Sequence, residues 1–192
     1  MREFRVEACD ILVNVNRKKD PWSRIRRWGV GPYSHVFMFL GKLRLIVHRR
    51  QGRMLRFPML FESNGRGAIL QNLSNRYGQE VVVLRLKPEY QKKIPRVLTE
   101  AVKLASDPQA HYDYSIIALH IIPKVILEKL HLPIPLKYQR DEKMICSEAV
   151  LEVFLRAKVP VLPKDVVPLP GSFVESDLLA EVGQGILSED WL

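Results

Sequence analysis

The sequence predicts an α+β fold in a single domain over residues 1–192: a mostly antiparallel sheet, followed by helices that pack on it. Two observations carry this. Up to residue 86, short apolar and β-branched runs recur between turn-forming clusters. From Pro95 onward, apolar residues switch to helical spacing. The length of 192 residues suits one domain with a real core, and the 47% hydrophobic content reads as globular.

Asp10–Val15 (DILVNV) alternates and is β-branched, which predicts the first strand. A polar connection over Asn16–Tyr33 ends in the turn signal Gly29-Val30-Gly31-Pro32. Ser34–Leu40 (SHVFMFL) is almost wholly apolar and reads as a strand buried on both faces. Gly41-Lys42 reads as a hairpin turn, with Leu43–His48 as the returning strand. Further strands fit Met59–Glu62, Ala68–Leu73 and Glu80–Leu86.

Pro95–Ser106 predicts a helix, with Pro at a tolerated first-turn position and a stop at Asp107-Pro108. A second helix is predicted over Ser115–Leu130, kinked or split at Pro123, and Leu132–Tyr138 is expected to be extended. Ser147–Ala157 gives a third helix. The tail from Pro160 is Pro-rich and then acidic, and Glu80–Leu86 is the last strand expected.

The net charge of +9 is local. Residues 1–56 hold 14 Lys/Arg against 4 Asp/Glu, leaving 16 against 17 in the rest. This basic N-terminal third favours an anionic surface, such as a membrane or an acidic wall polymer, through residues 17–56. An equally open reading is a solvated basic face with no dedicated partner. Trp22, Trp28 and Tyr33 accompany the patch, but no recognised nucleic-acid motif does, which argues against a nucleic-acid partner. The two cysteines, Cys9 and Cys146, make no disulfide framework, and the first twenty residues lack the apolar core of a signal peptide. A cytoplasmic setting is expected. No oligomeric state follows from the sequence.

Cys146 opens the predicted third helix, where the helix dipole favours a thiolate and so a nucleophile. Free Cys is also commonly a small packed apolar residue, and position alone favours that plainer reading. His35 begins an apolar strand, from which a ring can point into a cleft where a helix start meets the sheet; a lone His there is more often structural. Glu62 ends the apolar run Met59-Leu60-Phe61 and, by pattern alone, is an ordinary strand-end acid. His48, His111, His120 and His131 have no Cys or acid at metal-ligand spacing, so neither a metal nor another cofactor is expected.

At these positions the chain resembles a family. SHVFMFLG (34–41), FESNGRGAILQNL (61–73), HYDYS (111–115) and MICSEAVLEVF (144–154) are similar to the circularly permuted, NlpC-like branch of the papain-like cysteine hydrolases. The resemblance implies a partly barrel-like sheet in a permuted papain-like arrangement, with Cys146 as nucleophile, His35 as base and Glu62 as orienting acid. It also implies that Tyr112 and Asp113 line or brace the cleft, and that Glu175-Ser176-Asp177-Leu178 closes the domain. The first strand departs from the family, with Cys9 where a Gly is usual.

The expected activity is therefore thiol-dependent hydrolysis of an amide bond in a small peptide, isopeptide or cell-wall peptide, through an acyl-enzyme. Tyr33 or Tyr112 could supply a side-chain donor to the oxyanion. Two other readings stay open: a lipid acyltransferase or phospholipase acting at anionic membranes, and a non-catalytic basic module that binds nucleic acid.

Overall fold

The computed structural model describes residues 4–15, 32–48, 53–64, 67–107, 146–164 and 166–192. Among these residues six strands are present: β1 (Ile11–Val15), β2 (Tyr33–His48), β3 (Arg53–Asn64), β4 (Gly67–Asn72), β5 (Glu80–Leu86) and β6 (Leu179–Ile186). They form one sheet in the order β4-β3-β2-β1-β5-β6, and every neighbouring pair is antiparallel. The fold is thus α+β. The sheet is not the partial barrel expected above: among the described residues no pairing joins β4 to β6.

The central strands read as they do because both of their faces are covered. On one face Ile11, Val13, Val36, Met38, Phe61, Val82 and Leu84 meet two helices. These are α1 (Ile94–Ala105) and α2 (Cys146–Arg156). In α1 the buried residues Val97, Ala101 and Leu104 recur at helical spacing and make a single apolar stripe. In α2 almost every residue from Cys146 to Phe154 is buried. On the other face Leu12, Phe37, Phe39, Leu60, Val81 and Val83 meet Val6 and Leu187. Phe4 stacks edge-on against Trp191, with ring centroids 5.2 Å apart, so the two chain ends close this second layer together. No described helix is long and apolar enough to cross a membrane.

Two expectations are corrected. Gly41-Lys42 is not a turn, because β2 runs on to His48 and returns as β3 from Arg53. Gly41 has φ +102° at a register shift between Phe39 and Gly41, so its conformational freedom serves a bulge inside the ribbon. The tail is not strandless either, for Leu179–Ile186 pairs with β5 as an edge strand. Its two glycines and polar residues hide the period-two signal, and backbone pairing holds it instead. The helix expected over Ser115–Leu130, and the extended Leu132–Tyr138, lie outside the described residues.

The N-terminal segment is fastened by charge. Asp10, almost fully buried, accepts from Arg85 Nε at 2.9 Å and from its terminal nitrogen at 2.8 Å. Arg85 also reaches Glu7 at 2.7 Å and the Arg5 carbonyl at 2.9 Å. Cys9 has φ 76°, a left-handed conformation, at the turn into β1.

Candidate active site

Beyond Met38 and Phe61, β2 and β3 part. β2 stays paired with β1 up to Tyr33, while β3 stays paired with β4 up to Asn64. The parting frees the backbone of β2 near Val36, and the start of α2 fits against it. The entry of β2 is pinned by a polar bridge: Ser34 donates to Asn14 at 2.9 Å, and Asn14 donates to Gln79 at 2.7 Å. His35, opposite Asn14 in register, is thereby held at the mouth of the opening.

His35 links Cys146 to Glu62. Its Nε2 lies 2.8 Å from Glu62 Oε2, and the ring also hydrogen-bonds the Cys146 side chain. With Nε2 on the carboxylate, Nδ1 is the nitrogen left for the sulfur. The Cys146 sulfur further accepts from the backbone N–H groups of Val36 and Ser147. These N–H groups sit at the freed strand edge and in the first turn of α2, where the helix dipole also favours negative charge.

The electrostatics follow from these contacts. Burial pushes the Cys146 thiol up, but the His35 hydrogen bond and charge, with the two N–H groups, outweigh it and bring the thiol below its ordinary value. Burial pushes His35 down, yet its bonds to Cys146 and Glu62 raise it to about 9. Both shifts favour thiolate beside imidazolium. Cys9 behaves oppositely: burial, then the neighbouring Asp10 charge, drives its thiol up to about 12. A thiol so raised stays protonated at neutral pH and is a packed residue.

Glu62 is completely buried, which no strand-end acid survives without compensation. Arg76 supplies it, through Nε at 3.0 Å and through one terminal nitrogen at 2.6 Å to both carboxylate oxygens. Gln71 donates to Oε1 as well. Burial raises the Glu62 carboxyl, but the hydrogen bonds from His35 and Arg76 overcome that and hold it below its ordinary value. Arg76 lies over the Phe37 ring at 5.8 Å, and the His35 ring lies 5.9 Å from the same ring. Glu62 therefore fixes the His35 ring and is itself fixed by Arg76.

Sequence reasoning missed Arg76 and Gln71. Arg76 comes from the 3-10 turn Leu73–Arg76, capped by Asn72, and resembles any polar loop residue. Gln71 is opposite Leu60, on the Glu62 side of the hairpin, which only the β3–β4 register reveals. Tyr33 opens β2 and packs with the core that contains Cys146. Its ring lies against Gly171 so closely that a Cβ there would sit 3.1 Å from Tyr33 Cδ2. Tyr112 and Asp113 lie outside the described residues. Ser176, from the Glu175–Leu178 element, donates to the Val161 carbonyl and accepts from Leu178 N–H at 3.3 Å, tying the chain after α2 to the entry of β6. Among the described residues, no three His, Cys, Asp or Glu are grouped to hold a metal ion.

The arrangement can present a sulfur nucleophile next to a protonated imidazole, with backbone N–H donors alongside. Protein-family models give no match to this chain, and the curated proteins give none either.

Proposed function

We propose that this protein is a thiol-dependent hydrolase that cleaves amide bonds of small peptides or isopeptides through an acyl-enzyme on Cys146. The observation that carries the reading is the hydrogen-bonded line Cys146–His35–Glu62, with His35 Nε2 at 2.8 Å from Glu62. In the first step the Cys146 thiolate bonds to the substrate carbonyl carbon, and the carbonyl electron pair moves to oxygen. The Cys146 backbone N–H at the start of α2 is the donor assigned to that oxyanion. As the oxyanion collapses the C–N bond breaks, and His35 gives its proton to the departing amine. His35, now neutral, takes a proton from water as the water attacks the thioester. The acid leaves, and the thiolate–imidazolium pair is restored. Glu62 stays ionised throughout and holds the ring.

The test is mass spectrometry after exposure to an activated acyl donor such as p-nitrophenyl acetate, followed by a panel of peptide amides. The reading expects one acetyl group on Cys146 with a matching burst of nitrophenol, absent in Cys146→Ala and slowed in His35→Ala. Acylation of Cys9, or none anywhere, would overturn it.

A further inference from the structure

We infer that the two-stranded ribbon formed by the outer halves of β2 and β3 is a docking element for an anionic lipid bilayer, with an apolar face at Leu43 and Leu55 and a basic face at Arg44 and Arg56.

Among the described residues, the two strands pair only with each other over 41–48 and 53–58, since β1 reaches no further than Met38 and β4 ends opposite Met59. Strand alternation then sorts the side chains. Leu43 is opposite Phe57, and Leu55 is two residues from Phe57 on the same strand, so these share one face. Lys42, Arg44 and Arg56 share the other, as Arg44 stands directly opposite Arg56. The Lys42 amine donates to the Leu192 carbonyl, and Leu43 lines a groove with Leu98 and Val102 of α1, which Lys42 also borders.

Leu43 is 55% exposed and Leu55 39%. Leu43 also borders a groove of about 250 Å³ whose wall includes Leu40, Met59, Leu70, Leu98 and Val102. Of these, Leu70 and Val102 are exposed too, so the apolar strip continues from the ribbon onto the body. The opposite face carries two arginines directly across from each other, and neither has an acidic partner among the described residues. Like charges paired across strands are destabilising until an anion sits between them. A ribbon with leucines on one face and an arginine pair on the other fits an anionic bilayer, which offers phosphates to the arginines and acyl chains to the leucines. Nucleic acid would satisfy the arginines only. The inference does not depend on the reaction at Cys146.

The test is sedimentation of the full chain with vesicles of phosphatidylcholine alone, or of phosphatidylcholine with about one-third phosphatidylglycerol, at low and high salt. The chain should bind the anionic vesicles and lose affinity as salt rises. Arg44→Gln with Arg56→Gln should weaken binding about thirtyfold. Leu43→Ser with Leu55→Ser should weaken it about tenfold or more. Both pairs are exposed and should keep the wild-type thermal midpoint; if the leucine pair does not, Leu43→Ser alone is read instead. No binding to anionic vesicles overturns the inference. So does full binding by the leucine variant with loss in the arginine variant and equal affinity for duplex DNA, which would mark a polyanion site.

Discussion

Replacing Glu62 by Gln should uncouple the site from the fold in a measurable way. The substitution keeps the shape and removes the charge that His35, Arg76 and Gln71 converge on. Removing one member of a buried ion pair costs about 3–5 kcal/mol. Arg76 retains 22% exposure and regains some hydration, and Gln still accepts one bond, so a loss of about 2–3 kcal/mol is expected. Urea unfolding at neutral pH measures it.

The pH dependence supplies the sharper check. Glu62 titrates in the folded chain below its ordinary value of 4.5. Its contribution is therefore present above 4.5 and lost as pH falls through the lower folded value. The gap between wild type and Glu62→Gln should close in acid. His35 should also fall from about 9, since one of the two bonds that raise it is gone. Proton NMR titration of the imidazole reads this directly. A variant with wild-type stability within about 0.5 kcal/mol, or a gap unchanged into acid, would refute the reasoning.

Other outcomes follow from the same contacts. Arg85→Met leaves the Asp10 carboxylate buried without its cation and should cost about 3 kcal/mol in urea unfolding. Ser147 Oγ is buried without a hydrogen-bond partner among the described residues, so Ser147→Ala should leave the thermal midpoint unchanged or raise it, by up to about 1 kcal/mol of stability. Gly171→Ala pushes a methyl against the Tyr33 ring and should cost about 1 kcal/mol, with a change in tyrosine fluorescence. Phe61→Ala opens a cavity between the sheet and both helices and should cost about 3–5 kcal/mol.

How far the sequence reached can be judged residue by residue. β1, β5 and the inner part of β2 were legible because Ile11–Val13, Val81–Leu84 and Val36–Phe39 are packed on both faces, so their apolar runs are unbroken. α1 was legible from its Val97, Ala101 and Leu104 stripe. In the outer ribbon Leu43–His48 was legible as strand, but its continuity with β2 and its partner Arg53–Pro58 were not, because exposed strands bury little and carry no required pattern. β6 was not, because an edge strand with glycines is held by backbone bonds to β5.

At the site, Cys146 carried a local signal at a helix start, but His35 and Glu62 took theirs from the ordered motifs. The carboxylate's burial, and the Arg76 that makes it tolerable, depend on register between strands that no local window contains. The basic stretch over residues 17–31 and the Tyr112–Asp113 pair lie outside the described residues.

The central claim is that Cys146 is a thiolate held by His35, and the rate of alkylation against pH tests it most directly. Wild type, Cys146→Ala and His35→Ala are treated with iodoacetamide, and the modified site is located by peptide mapping. The account predicts that Cys146 alone is labelled, with an inflection below the ordinary thiol value of 9.0. That inflection should move up in His35→Ala. Cys9, raised to about 12, should stay unlabelled while the fold is intact. An ordinary thiol profile at Cys146, unchanged by the loss of His35, would contradict the account.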